Sequence, residues 1–282
     1  MILVQDKLME QKELHIGMED RGYQFGDGIY EVIRIYNGCF FGMDEHLTRL
    51  ERSARELQMS LPYAKDLLKK RLEDLAAVNN VKDGQVYLQV TRGVAERTHH
   101  FPDHADGVLI AYTKEAPRPY QKMADGIGVI TTEDIRWLRC DIKSLNLLGN
   151  VLSKQKAKDA GCDEAILIRD GIVTEGSSSN VFIVKEGELV THPADNLILN
   201  GITRNVLFKI AEESQLNVVE KKFGMDDLLN ADEVMITSTT MEITPVVTID
   251  GKPVQDGKPG PITKRLQEKF NLRIHEVQSV EN

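Results

Sequence analysis

Ala165-Ile166-Leu167-Ile168-Arg169-Asp170-Gly171-Ile172-Val173-Thr174 is two β-leaning runs joined by Asp-Gly. Asp-Gly accepts the two positive φ values of a primed turn, whose twist matches that of the flanking strands, so the stretch predicts a β-hairpin. The pattern returns where Asp250-Gly251 separates Val246-Val247-Thr248-Ile249 from Val254. Further strands are predicted over 86–91, 108–112, 128–132 and 233–237. Helices are expected at 44–57, where Asp44 can cap a stripe of Leu47, Leu50, Ala54 and Leu57, and at 65–78. Two more are expected, at 144–160, stopping at Gly161, and after Gly201-Ile202-Thr203-Arg204, with Val206, Leu207, Ile210 and Ala211 on one side. Hairpins outnumber regular strand-helix-strand units. The fold class is therefore α/β in the broad sense (α+β), with mixed or antiparallel sheets rather than a doubly wound parallel one.

Glu115-Ala116-Pro117-Arg118-Pro119-Tyr120 holds two of the nine prolines, which block both helix and central strand. This marks a linker between two domains, 1–120 and 121–282. A chain of 282 residues with 41% hydrophobic and 28% charged residues is ordinary for a globular protein with a sizeable core. The 35 Lys and Arg against 44 Asp and Glu leave a net charge of −9, which argues against nucleic acid or an anionic membrane as partner. A small anion in a local basic pocket stays compatible with it. Cys39, Cys140 and Cys162 show no paired metal spacing and imply a reducing compartment. Ile2-Leu3-Val4 is too short for a signal-peptide core, and no apolar run approaches the roughly 20 residues of a membrane span. The expectation is a soluble, cytoplasmic chain.

Gly26-Asp27-Gly28-Ile29-Tyr30-Glu31 begins like a dinucleotide fingerprint, but Glu31 replaces the third glycine and β-leaning residues follow, so a turn entering a strand is the plainer reading. His99, His100 and His104 do not make a metal site, because adjacent side chains on an extended segment point to opposite faces. Arg97 and His99, two apart, share a face and could grip a carboxylate, although a solvated loop tip is the favoured reading on spacing alone. Lys143 stands among apolar neighbours in Cys140-Asp141-Ile142-Lys143-Ser144-Leu145, where desolvation would make its amine a nucleophile and base, while most lysines simply reach into water. Cys140 more plausibly packs than reacts. The helix opening at Gly201-Ile202-Thr203 and the hydroxyls of Ser238-Thr239-Thr240 resemble anion cradles, each alone more often a cap or turn. A reactive lysine, phosphate cradles and no metal motif together imply pyridoxal phosphate, with Glu175 in Thr174-Glu175-Gly176-Ser177-Ser178-Ser179-Asn180 as partner for its pyridine nitrogen.

Asp20-Arg21-Gly22-Tyr23-Gln24-Phe25-Gly26-Asp27-Gly28-Ile29-Tyr30-Glu31, the run from Glu133 through Trp137 and Lys143 to Asn146, and the run from Thr174 to Asn180 resemble the class IV pyridoxal-phosphate aminotransferases. Within that family the chain is similar to the bacterial D-amino-acid (D-alanine) aminotransferases, in order from about residue 20 to residue 268. The resemblance implies a two-domain fold-type IV enzyme whose C-terminal domain carries the cofactor lysine. It implies that Lys143 bonds the cofactor and shuttles the substrate's α-proton, that Glu175 pairs with the pyridine nitrogen, and that Arg49, the amides of Ile202 and Thr203, and Thr239 hold the phosphate. Ser178 is implied as a further cofactor contact. Tyr30, Arg97 and His99 would trap the substrate's α-carboxylate, the last two from across a homodimer. The implied reaction converts a D-amino acid, D-alanine foremost, and 2-oxoglutarate to pyruvate and D-glutamate. Branched-chain L-amino-acid transamination and aminodeoxychorismate lysis are the alternatives on the same fold. Met241 is expected near the cofactor edge, and the 99–107 segment is slightly short; both bear on substrate breadth.

Overall fold

The computed structural model describes residues 1–281, which divide into two compact units. The first unit holds Met1–Pro117, Ile142–Asn146 and the C-terminal residues from Val277; the second holds Arg118–Asp141 and Leu147–Glu276.

In the first unit the elements run β1 (Ile2–Val4), β2 (Lys7–Met9), α1 (Arg21–Phe25), β3 (Gly28–Tyr36), β4 (Cys39–Phe41), α2 (Met43–Glu56), α3 (Lys65–Val78), β5 (Gly84–Thr91) and β6 (Val108–Glu115). The six strands form one sheet in the order β2-β1-β6-β5-β3-β4, antiparallel throughout. Strand alternation puts Ile29, Glu31, Ile33 and Ile35 on one face of β3, and all four are fully buried. That row packs into a core with Leu47 and Leu50 of α2 and Leu68, Leu72 and Leu75 of α3. The expected helix at 65–78 coincides with α3. At α2, Gly42 with a φ of 67° is the capping position, and Asp44 instead sits in the first turn, where it pairs with Lys69. A carboxylate in the first turn still favours the positive end of the helix dipole.

Residues 143–146 depart from the sequence expectation. Tyr30 N donates to Lys143 O (3.0 Å), Leu145 N donates to Gly28 O (2.9 Å), and Ser144 bridges Ile29. These bonds hold the segment extended along the start of β3, so the helix expected from residue 144 begins only at Leu148. Ile142 is part of the first unit's core. The cofactor lysine of the sequence reading thus belongs to the first unit and not to the C-terminal one, because backbone pairing with β3 outweighs position in the chain.

The second unit contains α4 (Tyr120–Asp125), β7 (Ile127–Glu133), α5 (Leu148–Asp159), β8 (Glu164–Arg169), β9 (Ile172–Gly176), β10 (Asn180–Lys185), β11 (Glu188–Thr191), α6 (Ile202–Glu213), β12 (Val218–Glu220), α7 (Met225–Leu229), β13 (Glu233–Ser238), β14 (Glu242–Ile249), β15 (Lys252–Pro253) and most of α8 (Pro261–Glu281). Its nine-stranded sheet is mixed. The pairs β7 with β8, β7 with β14 and β11 with β12 are parallel, and the rest are antiparallel. Asp170 and Gly171 have φ of 51° and 76°, and Asp250 and Gly251 have 49° and 75°, so both Asp-Gly pairs make primed turns between antiparallel strands. The sheets are mixed and antiparallel, as the hairpin count led one to expect. No helix among the described residues is long and apolar enough to cross a membrane.

Leu72 is buried completely in the first core. Leu72→Ala should lower stability by about 2–5 kcal/mol through lost transfer energy and a residual cavity, read as a fall in the urea midpoint. A midpoint unchanged within error would contradict the packing described.

Candidate active site

Glu31 breaks the isoleucine row of β3 with a carboxylate that solvent does not reach. Burial alone would push its pKa up. Arg49 Nε and Nη2 donate to its two oxygens at 2.7 and 2.8 Å and His46 Nδ1 lies 2.7 Å from Oε2, and together they hold the carboxyl down at about 2. His46 and Arg49 lie three apart on α2, which places both over the same strand residue. Desolvation is the largest influence on His46 and lowers its pKa, against the opposing pull of Glu31. His46 Nδ1 faces the carboxylate while burial disfavours the charged form of the ring. The network fixes the plane of the Arg49 guanidinium.

Tyr30, the residue before Glu31 on β3, faces the opposite side of the sheet. Its ring stacks on Tyr87 (centroids 5.7 Å apart), which stacks in turn on Tyr112 (5.1 Å). Lys143 Nζ stands 4.2 Å from the centroid of the Tyr30 ring, and its backbone N donates to the buried Ser53 Oγ (3.3 Å). The lysine is half-buried, anchored on both sides of its backbone, with its amine against an aromatic face.

Arg97 and His99 lie in the loop that joins β5 to β6, and both are exposed. The structure brings them together on the ring of Phe25: the Arg97 guanidinium carbon is 4.9 Å from its centroid and the His99 ring 5.7 Å. Tyr30 is not part of that cluster within the chain, being packed on Tyr87 and Lys143.

In the second unit, Glu175 on β9 is buried and held by three donors. Arg136 Nη1 donates to Oε1, while Asn180 Nδ2 and the Leu199 amide each donate to Oε2 at 3.0 Å. Burial raises the Glu175 pKa, the Arg136 charge opposes it, and the balance falls at about 7. Arg136 is itself braced by Asp134, through Nε at 2.9 Å and Nη2 at 2.8 Å. Asn180 also donates to Leu199 O (2.8 Å), and its Oδ1 would lie 2.2 Å from a Cβ on Gly201. Only glycine lets this backbone come so close, and the contact ties Glu175 to the start of α6.

Helix α6 begins at Ile202 after Gly201, and no side chain caps it. The amides of Ile202 and Thr203 thus open a helix end suited to an anion. Helix α6 packs on β13, where Thr237 Oγ1 is buried without a hydrogen-bond partner, and Thr239 is half-buried just past the strand. Ser178 is exposed and gives its hydroxyl to the buried Glu164 (2.9 Å), which Ser177 and Ser179 also engage. Met241 packs against the second unit's core. Cys140 donates to Trp137 O (3.1 Å), and burial pushes its thiol up to about 11, a packed group and not a nucleophile.

Sequence reasoning passed over His46, Arg136, Asn180 and Glu164. Arg136 and Asn180 stood inside the quoted motifs, but their partner Glu175 is 39 positions from Arg136, beyond any local periodicity. His46 and Arg49 at i and i+3 beneath a carboxylate in an apolar strand were the signal that could have been read.

A family profile for amino-transferase class IV matches residues 28–249. The chain is a class IV aminotransferase. It is 52% identical over 266 residues to a D-alanine aminotransferase of Bacillus licheniformis (94% of each chain), and 54% over 272 residues to one of Listeria monocytogenes serotype 4b (95% of this chain, 94% of the other). Among solved structures it resembles the branched-chain amino acid aminotransferase of Escherichia coli, with TM-score 0.91, 27% identity and coverage of 95% and 92%. It also resembles the branched-chain aminotransferase of the archaeon Thermoproteus uzoniensis, solved with norvaline, with TM-score 0.89, 26% identity and coverage of 97% and 94%.

Class IV aminotransferases are pyridoxal-phosphate enzymes, and the residues of this aminotransferase fit that group. The uncapped α6 amides and the orphaned Thr237 hydroxyl suit a phosphate, and a buried carboxylate fixed by three donors suits a protonated pyridine nitrogen.

The pKa of Glu31 lies below its unfolded value of 4.5, so its stabilisation is complete above about pH 4.5 and is lost as pH falls toward 2. Glu175 has the opposite sign: its contribution to stability is present below about pH 4.5 and lost as pH rises to about 7. Glu31→Gln should cost about 3 kcal/mol at neutral pH, with the gap to the native protein closing on acidification. Urea denaturation across pH 3–7 measures this, and a gap independent of pH would show that the carboxylate is not held ionised.

Proposed function

We propose that this aminotransferase passes the amine of a D-amino acid, D-alanine foremost, to 2-oxoglutarate, yielding pyruvate and D-glutamate. The observation that carries the reading is the gathering of Arg97 and His99 on one ring, an arrangement suited to a carboxylate and ill suited to an apolar side-chain pocket. It agrees with the names of the bacterial relatives, whose identity to this chain is near twice that of the branched-chain structures.

When bound, pyridoxal phosphate supplies an aldehyde carbon to receive the amine and a ring to absorb the electron pair left on the substrate's α-carbon. Lys143 Nζ would bond the cofactor and serve as the base that shuttles the substrate's α-proton; its anchored backbone limits the arc the amine can sweep. Glu175 would keep a proton on the pyridine nitrogen. Its tendency to protonate near pH 7 would be overcome by a positive ring nitrogen placed beside it, as an opposite charge favours the carboxylate. Arg49, with its plane set by Glu31, would bind the phosphate, as would the Ile202 and Thr203 amides and Thr239, and Ser178 would be a further cofactor contact. Arg97 and His99 receive the α-carboxylate with Tyr30. A fixed carboxylate decides which face of the α-carbon meets Lys143, and hence the hand of the amino acid. The exposure of Arg97 and His99 fits their serving a partner in a homodimer, acting on small amino and oxo acids in the cytoplasm.

Lys143→Ala should lower turnover by at least about 10²–10⁴-fold; turnover like that of the native enzyme would remove the lysine from its role. With D-alanine and 2-oxoglutarate the enzyme should release pyruvate with ping-pong kinetics. Turnover of L-leucine with no pyruvate from D-alanine would favour a branched-chain enzyme. Pyruvate from aminodeoxychorismate without any oxo acid would favour a lyase.

A further inference from the structure

The loop of residues 92–107 contains neither helix nor strand, and yet it carries the two side chains proposed to bind the substrate's carboxylate. An exposed arginine keeps about 2 kcal/mol of rotamer entropy, which ordering on a substrate would forfeit unless the side chain is arranged beforehand. The chain's own fastenings show how that arrangement is achieved.

At the loop's start, Arg92 donates to Leu57 O (2.7 Å) and Gln58 O (3.1 Å) from its two terminal nitrogens and to Asp27 (2.8 Å) from Nε, with its guanidinium 3.7 Å over Phe101. Gly93, at a φ of 103°, passes so near Asp106 that a Cβ would lie 2.0 Å from its carbonyl oxygen, so the loop's two ends are pinned together. The centre is fastened by α1. Arg21 is buried, gives Nε to Asp27 (2.9 Å), and gives Nη1 to the carbonyl of Thr98 (2.8 Å), the residue between Arg97 and His99. Phe25, one turn on, meets the guanidinium carbons of Arg21 (4.8 Å) and Arg97 (4.9 Å) and the His99 ring. Helix α1 is held in turn by its cap and by β5. Asp20 caps it through Gly22 N (2.8 Å) and binds Thr91 Oγ1 (2.8 Å) at the end of β5, and a Cβ on Gly22 would lie 2.2 Å from Thr91 Cγ2.

We propose that Phe25 and Arg21 are positioning residues for the carboxylate-binding pair, Phe25 as the aromatic platform that aligns Arg97 and His99, and Arg21 as the strut that fixes the peptide between them. The negative face of the ring attracts a guanidinium, and its bulk leaves the imidazole few directions in which to point. Arg21 fixes the Thr98 carbonyl and so sets the direction of the side chains on either side, which the bent loop brings to one ring. The inference rests on the proposed role of Arg97 and His99. It adds residues that never touch substrate.

The test uses the cofactor-loaded enzyme and five variants: Phe25→Leu, Phe25→Met, Phe25→Tyr, Arg97→Ala and the double variant Phe25→Leu/Arg97→Ala. Phe25→Leu should raise KM about five- to tenfold for both D-alanine and 2-oxoglutarate, which share the α-carboxylate, with kcat changed less than about twofold. The cofactor absorbance and Tm should stay near native. Phe25→Tyr, which keeps the ring, should restore KM, and the double variant should be no worse than Arg97→Ala. If Phe25→Leu loses its fold, Phe25→Met, close in volume and without a ring, carries the same expectation. An unchanged KM in Phe25→Leu or Phe25→Met beside a raised KM in Arg97→Ala would overturn the positioning role, as would full additivity in the double variant. An unchanged KM in Arg97→Ala would instead overturn the carboxylate role of Arg97 itself.

Discussion

A carboxylate lodged among isoleucines is the constraint around which the first unit is arranged. Glu31 occupies the same face of β3 as Ile29, Ile33 and Ile35, where an unpaired charge would be prohibitive, so its burial is tolerable only while His46 and Arg49 of α2 stay in contact. The requirement acts in both directions: the helix is locked to the strand at one angle and register, and the guanidinium is locked in its plane. Tyr30 and the backbone of Lys143 follow from it, because both are read off the neighbouring peptides of β3.

The second unit solves the same problem in the reverse order. There the buried carboxylate, Glu175, is met by an arginine whose attention is divided, since Asp134 claims Nε and Nη2 of Arg136. Burial is the larger influence and Arg136 offsets only part of it, so the carboxyl titrates at about 7, against about 2 for the one in the first unit. Glu31 has the character of a permanent structural anion. Glu175 has that of a group whose charge responds to what is placed beside it, which is the property required of a partner for a titratable ring nitrogen.

Much of this was legible in the sequence where the cause was local. Alternation gave the strands, Asp170-Gly171 and Asp250-Gly251 gave their turns, and the bounds expected for the helix at 65–78 match α3 to the residue. Gly201 before Ile202 marked the uncapped helix end. What escaped depended on partners far along the chain. The residues 144–147 have helical composition, but two ladder bonds to Gly28 and Tyr30 overrule it, and no inspection of 144–147 alone reveals them. Asp44 is a good cap by type, and Gly42 displaced it because only a residue at ease with positive φ fits the turn leaving β4. For Arg97 and His99 the spacing of two favoured a solvated loop tip, with a shared face on an extended segment as the other reading, and both do lie exposed in a loop. The pair does meet, through a loop bent around Phe25 and not through a strand's pleat.

The placement of residues 142–146 bears on how the protein is made. A ribosome delivers Met1–Pro117 first and Ile142 some 25 residues later, a lag of about 1–5 s at ordinary elongation rates of about 5–20 residues per second. Through that interval the nascent first unit lacks a core side chain, and the start of β3 lacks the strand-like partner that receives the Tyr30 amide. Lys143, whose carbonyl receives that amide, therefore arrives on the same short segment that fills the core, so that seating Ile142 and fixing the backbone of the proposed cofactor lysine are one event.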